Sequence, residues 1–154
     1  MYYEVKISSE TGKEIVFDCK SGSKLNNAFR NLSIKSDTPA LNVKNRASNV
    51  LVRIHFEMEI IPQTKDKCRD LMEWSLISSG EEVYRTITVN VMDSKSVPMR
   101  SYKINEVFVE DYEEKFVIGE GSEDDERTDY GYFVLDLIQA SGETENIKQD
   151  VDLI

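Results

Sequence analysis

The chain has 154 residues, 40% hydrophobic and 31% charged, with 29 Asp and Glu against 19 Lys and Arg, a formal net charge of −10. That length suits one domain able to bury a full core without staples. The acidic balance argues against nucleic-acid binding, which needs clustered cations, and against docking on anionic membranes. Two cysteines (Cys19, Cys68) and one histidine (His55) are too few for a zinc centre, so the thiols read as buried groups in a reducing compartment. The N-terminal run M-Y-Y-E-V-K-I lacks a basic segment and a long apolar stretch. No signal peptide is expected, no window suits a membrane-spanning helix, and the expected location is the cytoplasm.

In chain order, residues 2–8 and 14–19 read as strands of an opening hairpin around Thr11-Gly12. Residues 20–49 are rich in Ser, Asn and Lys and hold only scattered apolar residues, so they read as one long loop of the kind that carries function. Residues 52–60 alternate cleanly: Val52, Ile54, Phe56, Met58 and Ile60 face a core, and Arg53, His55, Glu57 and Glu59 face water. Pro62 ends that strand and Thr64 caps a helix over about residues 65–78. Cys68, Leu71, Met72 and Leu76 form its buried stripe, and Gly80 follows its end.

Residues 83–92 form the next strand. The segment 100–116 is too long for an ordinary one, and its apolar phase runs Tyr102, Ile104 and then Val107, Val109. That slip predicts a bulge near Asn105-Glu106. An acidic loop spans 119–129, and 130–139 is a final strand apolar on both faces, whose second face asks for a cover. Residues 143–154 are a polar tail after a domain over 1–142. Several strands around one central helix predict a mainly β fold: an antiparallel barrel or sandwich of two packed sheets with a flanking helix.

Chemistry-bearing motifs are sparse. His55 lies on a polar strand face with no nucleophile tied to it. The carboxylates of 119–129 do not fit a calcium-loop spacing, and Gly119-Glu120-Gly121 lacks what a phosphate loop needs. Asp111, Glu113 and Glu114 cluster around Tyr112, but adjacent strand positions point to opposite faces. No enzyme activity, cofactor or metal is expected.

The run Tyr102, Val107-Phe108-Val109, Asp111-Tyr112, Glu114 and Phe116, followed after a loop by Phe133, Leu135, Leu137 and Gln139, resembles the C-terminal half of Hcp, the haemolysin-coregulated tube protein of type VI secretion. Tail-tube proteins of contractile phages and related injection particles share its fold. The upstream order of hairpin, long loop, strand, helix and strands is similar too. The resemblance implies a structural inner-tube subunit in which six copies close a ring and rings stack into a hollow tube. The loop after the second strand would then reach the next ring, with Arg30, Lys35, Asp37, Lys44 and Arg46 as stacking contacts. Arg53, His55, Glu57 and Glu59 would line the lumen or a ring contact. Implied partners are sister subunits, sheath, baseplate and spike, with effector cargo in the lumen and export inside the particle. The rival readings are a monomeric β-barrel module holding a small ligand in its interior and, last, an enzyme built on the Asp111–Glu114 cluster.

Overall fold

The computed structural model describes residues 1–20, 23–37, 51–119, 128–139 and 151–153. The elements are β1 (Tyr2–Ser8), β2 (Glu14–Cys19), α1 (Lys24–Ala28), β3 (Phe29–Asp37), β4 (Leu51–Glu59), α2 (Lys65–Leu76), β5 (Arg85–Met92), β6 (Pro98–Val117), β7 (Tyr130–Gln139) and β8 (Val151–Leu153). A 3-10 turn at Glu81–Val83 precedes β5. The strands form one antiparallel sheet in the order β2-β1-β5-β6-β7-β4-β3, with β8 also pairing with β6.

The mainly β architecture with a flanking helix matches the sequence reading, with one refinement. The strands belong to a single rolled sheet, and hydrogen bonding does not close it into a barrel. Rolling brings distant strands face to face: Phe17 of β2 lies 5.2 Å from Phe56 of β4 and 5.7 Å from Phe133 of β7. Tyr3 of β1 stacks on Phe29 of β3 at 4.0 Å. These rings sit among Val5, Ile7, Ile54, Met58, Ile87, Ile104, Leu135 and Leu137, all essentially inaccessible to water. Burying a side chain of this size contributes about 1.5–3 kcal/mol.

The helix α2 packs against the inner surface beside β2 and the far half of β6. Cys68, Leu71 and Trp74 are buried; the Trp74 indole donates to the Val83 carbonyl at 2.9 Å, and the Tyr112 hydroxyl oxygen lies 3.3 Å from the Cys68 carbonyl. The stripe read from sequence is therefore corrected. Met72 and Leu76 are exposed, because the large Trp74 takes the centre of the packed face. Gly80 does not end the helix either; α2 stops at Leu76, and Gly80, at φ 99°, opens the 3-10 turn.

The greater correction concerns 20–49. Residues 24–28 form a helical turn capped by Ser23, whose hydroxyl accepts from the Leu25 amide, and 29–37 form a strand paired along its length with β4. The predicted stacking residues Arg30 and Lys35 therefore stand on a strand. Asp37 ends that strand, opposite Leu51. Lys44 and Arg46 lie outside the described residues, as do 120–127 of the acidic loop and most of the tail.

The bulge in β6 falls where the apolar phase slipped. Ile104 pairs with Ile87 and Val107 with Arg85, so one extra residue is accommodated at Asn105–Glu106, and Glu106 takes φ 54°. A second register shift, between Val109 and Asp111, sets Glu110 off the ladder with β7.

Candidate functional site

Period-2 alternation makes the other surface of β3, β4, β7 and β6 a continuous polar field. The register sets Lys35 beside Arg53 and Ser33 beside His55 across β3 and β4. It sets His55 beside Asp136 across β4 and β7, and Asp136 beside Asp111 across β7 and β6. These residues line a shallow groove of about 300 Å³ with Glu110. Two sets that the sequence kept apart, the stacking residues Arg30 and Lys35 and the wet face of β4, thus converge on one surface. They do so because 29–37 is a strand.

Within the groove the charges meet in short contacts. Arg53 Nη1 donates to Glu110 Oε2 at 2.7 Å, and the second bulge of β6 swings Glu110 into reach. His55 Nδ1 lies 2.6 Å from Asp136 Oδ1, and Nε2 lies 3.4 Å from Glu57 Oε1. Burial works against the charged imidazole, and it is the largest single influence. The Asp136 and Glu57 carboxylates together outweigh it and hold the His55 pKa above its ordinary 6.5. At the far end of the field the Arg30 guanidinium lies over the Tyr132 ring at 4.0 Å, with Tyr130 at 5.6 Å and Lys115 on Tyr132 at 6.0 Å. Glu59 stands opposite Tyr132 in the register.

The second apolar face of β7 is now placed. Tyr130, Tyr132, Val134 and Ile138 point outward with Asp136, and α2 lies on the opposite, inner side, so the helix does not cover them. Val134 is 9% exposed because it is flanked in the sheet by Glu57 and Glu113, and Ile138 is flanked by Arg53 and Phe108. Long charged side chains shield apolar neighbours with their aliphatic stems.

The residues of the family-like pattern divide between the two faces. Tyr112 and Gln139 point inward; the Gln139 side-chain amide donates to the Asn105 carbonyl at 3.2 Å and thereby ties β7 to the bulge. Tyr102 is half-buried, and Phe108 meets the Tyr84 ring edge-on at 6.1 Å. Phe116 is exposed. Asp111 faces the groove, whereas Glu114 lies on the other face and accepts the Tyr112 hydroxyl at 2.8 Å. Asp111 and Glu114 therefore do not converge, whereas Asp111 and Glu113 share the outward face.

Both thiols are inert by environment: burial pushes Cys19 up to about 12 and Cys68 up to about 11. Among the described residues no cluster of His, Cys, Asp and Glu has the grouping to hold a metal ion, and no helix is long and apolar enough to cross a membrane. Sequence reasoning missed Glu110, Asp136, Ser33 and Tyr132 as members of the field. For Asp136 and Tyr132 the period of β7 already placed them in one outward phase, so that signal was available.

Compared with solved structures, the chain is similar to Hcp1 from Salmonella typhimurium, with 11% identity and a TM-score of 0.46 over 89% of this chain and 81% of that one. It is also similar to a chain in the six-fold symmetrised cryo-EM structure of the anti-feeding prophage baseplate, with 12% identity and a TM-score of 0.41 over 99% and 91%. No protein-family model and no curated protein matches the sequence.

Proposed function

We propose that this chain is a structural subunit that assembles with its own copies into rings, stacked to form the inner tube of a contractile injection system. The observation that carries the reading is the open sheet, whose outermost strands β2 and β3 pair on one side only among the described residues. β2 presents Glu14 and Asp18, paired with Lys6 at 3.0 Å and Lys20 at 3.5 Å, whereas β3 carries the basic residues Arg30 and Lys35 and ends in Asp37. An unguarded edge invites another strand. Pairing β2 of one copy with β3 of the next is a head-to-tail contact, which generates a ring wherever the rotation closes. Opposite charges on the two edges favour that pairing over β2 with β2 or β3 with β3. The resemblance carried by Tyr102 to Gln139 points the same way.

In this reading the ring holds six copies of a 1–142 domain. Asp37, Lys44 and Arg46 contact the neighbouring ring, Arg30 and Lys35 act on β3 at the contact within the ring, and Arg53, His55, Glu57 and Glu59 line the lumen or a ring contact. Sheath, baseplate and spike proteins are the partners, and the chain leaves the cytoplasm inside the particle with effector cargo. The rival small-ligand module needs an interior cavity, and Phe17, Phe56 and Phe133 fill that space.

Size-exclusion chromatography with light scattering, followed by negative-stain imaging at high concentration, tests the proposal. Rings of a uniform copy number are expected, and charge reversal at Arg30 and Lys35 should weaken each subunit contact about tenfold, a cost of about 1.4 kcal/mol per contact, with a larger loss of closed rings. A strict monomer at every concentration would overturn it.

A further inference from the structure

The edge of β6 opposite β5 is shared between two occupants. From Val107 to Val117 it pairs with β7, and from Tyr102 to Ile104 it pairs with β8, in register Tyr102 with Leu153, Lys103 with Asp152 and Ile104 with Val151. Both occupants run antiparallel to β6. β8 therefore continues the line of β7 along the same edge, on the other side of the bulge at Asn105–Glu106. Among the described residues, Pro98–Ser101 have no partner strand on this edge.

We infer that the β6 edge at Tyr102–Ile104 is a strand-acceptor slot that takes the C-terminal strand of a second copy of this chain in exchange for its own. Three residue pairs give β8 a short ladder, well below the typical strand length of about 5–6 residues. Its hold on the slot therefore depends on tethering. Residues 140–150 join β7 to β8, and fully extended that span reaches roughly 36–40 Å. A domain of this size has a radius of gyration of about 15 Å, so the tether is long enough to carry the strand across to an adjacent copy. Exchange makes the same backbone hydrogen bonds in trans as in cis, so the choice between them is set by local concentration. A linker of this length supplies an effective concentration on the order of millimolar, and copies held side by side in an assembly present one another's tails at a comparable density. Main-chain pairing fixes the partner's chemistry: an extended strand, running antiparallel to β6, with the sequence of Val151–Leu153. The inference rests on the sheet topology and stands whether or not rings form.

Disulfide trapping in the full chain tests it. Lys103 is exposed, so Lys103→Cys leaves the core intact, and the two native thiols are buried. The double variant Lys103→Cys/Asp152→Cys should close a disulfide within one chain, since directly opposed strand residues lie within bridging distance. Failure to close overturns the slot itself. The single variants Lys103→Cys and Asp152→Cys, one bearing an affinity tag, are then mixed at high concentration under mild oxidation. A mixed two-chain disulfide is expected in at least about tenfold excess over the off-register pair Lys103→Cys with Glu143→Cys. A yield no higher than that control overturns the exchange. Rings need not appear for either outcome to be read.

Discussion

The two faces of β4 and β7 differ by one residue of phase and have little else in common. Inward, Phe56 and Phe133 meet at 5.5 Å, and both are fully buried. Outward, on the same strands, His55, Glu57 and Asp136 form a half-wet network. The contrast teaches that the packed core and the charged surface are written on opposite sides of the same backbone. Substitutions on one face should therefore leave the other's property largely alone. The strongest attempt to break that separation is Phe56→Ala or Phe133→Ala, each leaving a cavity in a ring cluster that joins strands from across the rolled sheet. A loss of about 3–5 kcal/mol is expected in urea unfolding. A loss below about 1 kcal/mol would mean that the sheet is not rolled around these rings.

Gln139 is a buried polar residue on the inner face of β7, 1% exposed and bridging to the Asn105 carbonyl at the bulge. Gln139→Leu leaves that carbonyl without its side-chain donor but also removes the buried Gln139 Oε1, which has no partner among the described residues, so a net loss of about 0.5–1.5 kcal/mol is expected. Urea unfolding of the variant at unchanged m-value measures it. No loss would show that the bulge holds its shape without the amide.

How far the sequence reveals these features depends on phase. β1, β2, β4 and β5 are legible because of their alternation, β7 because it is a bounded apolar run, and the bulge at Asn105–Glu106 because apolar residues on both sides record the slip. β3 was hidden by the same device. Its register shifts between Phe29 and Asn31, so Phe29 falls out of step with Leu32 and Ile34, and an edge strand with so few inward residues then reads as a loop. Glu110 was hidden because the second bulge sits among charged residues that leave no apolar trace. The outermost strands and the strand order follow from long-range pairing, which no local pattern encodes. The pairing of His55 with Asp136 is of the same kind, joining strands far apart in the chain.

The outer face sharpens the comparison at smaller scale. A double-mutant cycle on Arg53→Ala and Glu110→Ala should give a coupling below about 1 kcal/mol. Both side chains are more than a third exposed, and solvent screens such a pair. A coupling well above that would make the groove a stabilising element rather than a surface.

The smallest expected effect is also the most diagnostic, because its sign depends on which influence on His55 wins. Burial opposes the imidazolium, and the Asp136 and Glu57 carboxylates favour it more strongly in sum, so the folded pKa stands above the ordinary 6.5. A group with a raised folded pKa binds its proton more tightly when folded. Its contribution is complete below the unfolded value of about 6.5 and is lost as pH rises through the folded pKa. His55→Gln removes that contribution, so the melting-temperature gap between the unaltered chain and the variant should be wider at pH 6 than at pH 8. Asp136→Asn should lower the His55 pKa read by NMR titration of its ring protons, since it removes the nearer of the two carboxylates. A gap that widens as pH rises would mean that burial dominates and that the imidazole sits in the groove neutral. The field on β3, β4, β7 and β6 would then carry one more negative charge at pH 6 than the short His55–Asp136 contact implies.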